Sequence, residues 1–111
     1  MTAVQQLEVV ARLFPLVVVG EKTFTIRWRE ISIAPGPMRY VCAGNTSRTV
    51  DVVVTRCTRM PLCEAAAYLG RSDEWPDQVM LDGMREHYPS IELDDVVDVI
   101  EHLPPATEVA S

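Results

Sequence analysis

Long apolar runs are scarce in this chain. The most hydrophobic, Leu16–Val19, spans four residues, far short of the ~20 needed to cross a bilayer. The first ten residues, MTAVQQLEVV, have no basic start leading into an apolar stretch, which argues against a secretory signal and for a cytoplasmic protein. Cysteine is sparse and odd in number. Cys42, Cys57 and Cys63, spaced by 15 and 6, match neither a disulfide framework nor a zinc pattern, and His87 and His102 do not complete one. Reduced, buried thiols are expected, with no metal and no other cofactor. Internal repeats and low-complexity segments are also missing. What is present is 111 residues, 48% hydrophobic and 23% charged, the composition of one small globular domain. Its tail, LPPATEVAS, is expected to fray from about residue 104.

Positive charge is short overall and unevenly placed. The net charge is −6. Residues 20–60 hold seven Lys/Arg against three acids, whereas residues 61–111 hold two Arg against twelve acids. A long nucleic acid would meet a repulsive half, so any RNA binding should be weak. A small ligand at the basic half would not be repelled. Many of the acids also fit a plain solubilising role.

Thr23–Arg29 alternates: Phe24, Ile26 and Trp28 share one face, and Thr23, Thr25, Arg27 and Arg29 the other. That spacing predicts a half-buried strand, with Trp28 in the core. Ala34-Pro35-Gly36-Pro37 marks a turn. Arg39–Ala43 is a short strand candidate and Asn45-Thr46-Ser47 a hairpin loop. Thr49–Thr58 reads as a long strand with Val50, Val52 and Val54 on one face. Pro61–Leu69 reads as a helix with Pro in its first turn and Gly70 just past its end. Asp77–Tyr88 reads as a second helix, on the repeat of Met80, Met84 and Tyr88, stopped by Pro89. Val96–Glu101 is a last strand. Near the start, residues 3–13 suit a helix, and Leu16–Val19 favours a strand by β-branching. The pattern as a whole is α+β, a small mixed or antiparallel sheet with about three helices.

The segment with the most chemistry is Gly20-Glu21-Lys22-Thr23-Phe24-Thr25-Ile26-Arg27. A turn glycine feeds a strand that shows Lys, Thr and Arg together. Thr25 and Arg27 share a face by parity, and the long Lys22 stem can curl toward it. A hydroxyl beside an amine is a nucleophile–base pair when the amine is desolvated enough to be neutral. The same residues also fit an ordinary amphipathic strand with a polar solvent face.

The chain resembles the ASCH family, whose fold is similar to the PUA RNA-binding barrel. The resemblance is carried by the Lys22-Thr23-Phe24-Thr25-Ile26-Arg27 string, the strand Val50-Asp51-Val52-Val53-Val54-Thr55, the stretch Leu62–Leu69, the helix ending His87-Tyr88-Pro89 and the strand Val96–Glu101. It covers about residues 12–103. It implies a small PUA-like β-barrel of mixed strands with about three helices, and it places Leu16–Val19 in a helix. Size and order look like the compact bacterial members that hydrolyse N4-acetylcytidine to cytidine and acetate without a metal. The resemblance implies Lys22 as base and Thr25 as nucleophile. Counted back from Tyr88-Pro89 without gaps, its carboxylate falls on Asp73, where the family pattern has Glu; Glu74 serves with a shift of one. Arg27 matches the family's arginine, a substrate or structural contact. Trp75, beside the acidic pair, is the candidate for stacking on a cytosine ring. The expected partner is thus a small nucleoside. The alternative is a non-catalytic ASCH/PUA-like module that binds RNA or a modified nucleotide.

Overall fold

The computed structural model describes residues 5–30 and 32–105. Five strands and three helices follow in the order β1 (Gln5–Val9), α1 (Phe14–Val18), β2 (Phe24–Arg27), β3 (Gly36–Cys42), β4 (Thr49–Pro61), α2 (Leu62–Tyr68), α3 (Asp77–Arg85) and β5 (Val96–His102). The sheet order is β1-β3-β4-β5-β2. Because β1 runs parallel to β3 and β3 antiparallel to β4, the sheet is mixed. The described residues form two compact units. The first comprises residues 5–25, 32–57 and 100–105, the second residues 26–30 and 58–99. No helix among the described residues is long and apolar enough to cross a membrane.

In the first unit, Leu7 and Val9 of β1, Met38, Tyr40 and Cys42 of β3, and Val52 and Val54 of β4 bury alternate side chains in one core with Phe14, Val17 and Ile100. Period-two burial is what the strand pleat requires. Cross-strand pairing of Arg39 with Asp51 places their side chains together, and Arg39 Nε and Nη2 donate to the two carboxylate oxygens at 2.7 and 3.2 Å. The helix expected over residues 3–13 is not formed in its described part: Gln5–Val9 is a strand. Gln, Glu and Leu favour a helix locally, yet Leu7 and Val9 alternate into the core and the backbone pairs along β3, so tertiary pairing overrides propensity. Leu16 lies in α1, as the resemblance implied and against β-branching, with Val17 fully buried and Pro15 in the first turn.

The second unit has its own core of Met60, Leu62, Ala65, Met80, Leu81, Met84, Ile91, Val97 and Val99, with Trp28 packed in. Pro61 caps α2, and the next two backbone N–H groups donate to the carbonyls of Asp95 and Leu93, both at 2.9 Å. Helix α3 stops at Arg85, three residues before the expected Tyr88. Beyond it the Tyr88 carbonyl accepts from the Ile91 N–H in a turn, while Arg85 donates to the Ile91 carbonyl at 2.9 Å. The expected frayed tail lies largely outside the described residues.

Candidate functional site

Gly20, at φ +82°, turns the chain out of α1. The backbone N–H groups of Glu21 and Lys22 then both donate to the Leu16 carbonyl, at 2.9 and 3.0 Å, and lock the turn before β2. Lys22 is the only lysine in the chain. It is half-buried, and its Nζ lies 4.4 Å from the centre of the Phe24 ring. Thr25 follows in β2 and is only 4% exposed. Alternation had put Thr25 on a polar solvent face. Instead it is the most buried residue of β2, while Phe24, Ile26 and Arg27 are half-buried. Both faces of this strand are covered, so parity does not separate core from solvent here.

Thr25 shares its depth with one other polar side chain among the described residues, His102, also 4% exposed. Its Nδ1 lies 2.9 Å from the Leu103 carbonyl, which can only accept, so Nδ1 carries the proton. Nε2 then accepts from the Tyr40 hydroxyl at 2.9 Å, and Tyr40 is fully buried. Burial holds the imidazole below its ordinary range; the Leu103 carbonyl opposes this and the Lys22 charge adds to it. Tyr40 and His102 escaped sequence reasoning because they lie far apart in the chain and match no motif. The available signal was a histidine closing an apolar strand.

Asp73, Glu74, Trp75 and Arg27 belong to the second unit, whereas Lys22 and Thr25 belong to the first. Asp73 is exposed in the turn between α2 and α3. Glu74 accepts from Arg71 at 3.2 Å, and the Arg71 guanidinium sits 5.2 Å from the centre of the Trp75 ring. Trp75 also packs on the second core, so one face expected to stack on a base is shared with Arg71. Arg27 ion-pairs with Glu30 at 3.4 Å, and Glu30 accepts from the Tyr88 hydroxyl. Burial first, then the hydrogen bond to Glu30, pushes the Tyr88 phenol up to about 12.

Trp28 is in the core as expected, edge-to-face with Tyr88 at 5.9 Å. Arg29, at the left-handed φ of +58°, lays its guanidinium 4.3 Å from the Trp28 ring centre. Trp28, Arg29 and Glu30 open onto a polar cleft of about 260 Å³ with Arg59, Asp95 and Asp98, in which Arg59 and Asp98 are paired at 3.0 Å. No three His, Cys, Asp or Glu side chains converge as metal ligands among the described residues. Cys42 is buried, Cys57 half-buried and Cys63 exposed, and none of the three forms a disulfide, so the expectation of buried thiols fails at Cys63 in α2.

No family model and no curated protein matches the chain. Among solved structures it is similar to ZmASCH, an ASCH protein from Zymomonas mobilis crystallised as a serine-to-alanine mutant. The TM-score is 0.65 over 90% of this chain and 68% of that one, at 12% identity. The chain therefore has the α+β, PUA-like fold of an ASCH protein.

Proposed function

We propose that this chain is a member of the ASCH family and a metal-independent amidohydrolase that cleaves the N4-acyl amide of N4-acetylcytidine-type nucleosides. The observation that carries this reading is the burial of Thr25 in β2, three residues beyond the chain's single lysine in the preceding turn, the two residues that the resemblance makes nucleophile and base. A buried hydroxyl is shielded from water and gains most from a neighbouring base. Neutral Lys22 takes the Thr25 proton as Oγ attacks the acyl carbon. Collapse of the tetrahedral adduct breaks the C–N bond, and the proton passes from Lys22 to the leaving amino group, releasing cytidine. Water, deprotonated by Lys22, then hydrolyses the Thr25 ester to carboxylate. The resemblance implies the acidic member at Asp73 or Glu74.

The second reading, nucleotide binding without turnover, is favoured by the commitment of Glu74 to Arg71. One assay separates them. The protein is incubated with N4-acetylcytidine and the absorbance change to cytidine is followed. Catalytic conversion is expected; binding without conversion, seen by calorimetry, would leave the module reading in its place.

A further inference from the structure

We propose that Glu30 and Tyr88 are positioning residues that hold the Arg27 guanidinium in place for the substrate; this rests on the hydrolase reading, in which Arg27 contacts the nucleoside. All three residues lie in the second unit. Strand β2 ends at Arg27, and the chain then bends over residues 28–30 with Arg29 in the left-handed region at φ +58°. Such a backbone is unfavourable for a residue with a Cβ. Across this bend Glu30 meets Arg27. Arg27 Nη1 donates to Glu30 Oε1 at 3.4 Å, while the other carboxylate oxygen, Oε2, accepts from the Tyr88 hydroxyl. Glu30 is thus a bridge, with one oxygen to each neighbour.

An ion pair between mobile side chains contributes little, because fixing both of them costs entropy. Tyr88 reduces that cost. Its ring stands edge-on to the buried Trp28, with centroids 5.9 Å apart. Its N–H donates to the Met84 carbonyl at 2.9 Å and its carbonyl accepts from the Ile91 N–H at 3.0 Å, so the backbone that carries it is held on both sides. A fixed phenol braces Glu30, and Glu30 braces Arg27, whose side chain is 13% exposed against 32% for Glu30. With its ionisation pushed up to about 12, the phenol stays a donor at any working pH. A guanidinium fixed before binding donates to a substrate oxygen without first losing rotamer freedom.

Calorimetry with cytidine, the nucleoside product, reads the effect without turnover. Tyr88→Phe keeps the ring beside Trp28 and loses only the hydroxyl. It should weaken cytidine binding and raise KM for N4-acetylcytidine by about three- to tenfold, the effect of one side chain left to be ordered on binding, with kcat nearly unchanged. Glu30→Ala should do the same, and adding Tyr88→Phe to it should have no further effect, because Tyr88 acts through Glu30. Additive losses in the double variant, or folded single variants with wild-type affinity and KM, overturn the proposal. A protein that binds cytidine with this dependence yet never converts N4-acetylcytidine removes the hydrolase reading and leaves the positioning standing. Where cytidine does not bind at all, ¹⁵N relaxation of the Arg27 Nε–H, assigned by its loss in Arg27→Lys, decides. Order in the wild type and motion in Tyr88→Phe support the brace. Equal order in both, or a mobile Arg27 in the wild type even if no variant folds, overturns it.

Discussion

At the scale of single residues, Thr25 is the sharpest test. A lysine amine is protonated at neutral pH unless its surroundings depress it. A catalytic Thr25 therefore depends on both its own hydroxyl and a neutral Lys22. Thr25→Ala should lower kcat/KM by about a hundredfold or more, while Thr25→Ser keeps part of the rate because only the rotamer-fixing methyl is lost. Lys22→Arg should be nearly inactive despite its charge, since a guanidinium cannot accept the proton. Steady-state rates on N4-acetylcytidine, with circular dichroism to confirm folding, check all three; a folded Thr25→Ala protein at normal rate removes the covalent mechanism. The carboxylates form a second comparison. Asp73→Ala is expected to cost more activity than Glu74→Ala, as the ungapped register implies, and the reverse order would shift that register by one. Glu74→Ala should also loosen Arg71 from its exposed pair, at a stability cost of at most ~1 kcal/mol.

At the scale of elements, the turn from α1 into β2 is specified by Gly20. Its φ of +82° is unfavourable for any residue with a Cβ, and that Cβ would press on Pro104 at 3.1 Å. Gly20→Ala should destabilise the protein by about 1–2 kcal/mol from the backbone term alone. Chemical denaturation would measure this, and an unchanged midpoint would mean that the turn relaxes freely. The elements differ in how far their sequence spoke for them. Val52 and Val54 alternate into the core as the long strand's pattern implied, and α2 begins beside Pro61 and ends before Gly70 as expected. Residues 5–9 read as helix because their propensity is local, while their parallel pairing with β3 is made with residues more than thirty positions away. Tyr88 kept the helical spacing of Met80 and Met84, yet the chain leaves the helix at Arg85 to form the Tyr88–Ile91 turn.

At the scale of the whole molecule, charge divides by unit less sharply than by sequence half. The second unit holds five arginines against eleven acids, whereas in the first, with the whole of both chain ends counted, cations and acids balance. Mixed-sequence single-stranded RNA should therefore bind more weakly than about 1 μM at physiological salt. A tighter, salt-sensitive complex by fluorescence anisotropy would favour the binding module. Stability should also fall at both ends of the pH scale. Folded His102 resists protonation, so below about 6.5 the unfolded chain binds the extra proton and stability declines until the folded ring titrates too. Asp51, held low first by its Arg39 hydrogen bond, adds a further loss as pH drops through the ordinary carboxylate range. Tyr88 acts oppositely. An unfolded tyrosine ionises near ~10 while the folded one waits until about 12, so stability drains away between those values. Thermal melts should show the acid decline shrinking in His102→Gln and the alkaline decline shrinking in Tyr88→Phe.

The sequence by itself determined the α+β class, most strands, the two later helices, the core position of Trp28 and the Lys22–Thr25 string, because each is written in spacings of two to four residues or in a contiguous motif. Only the tertiary structure decided that Gln5–Val9 is a strand and that Thr25 is buried on a strand covered on both faces. It alone joined Tyr40 to His102 across sixty-two positions. Local periodicity records which way a side chain points relative to its neighbours, but burial and hydrogen-bond partners depend on what the rest of the chain lays against that face.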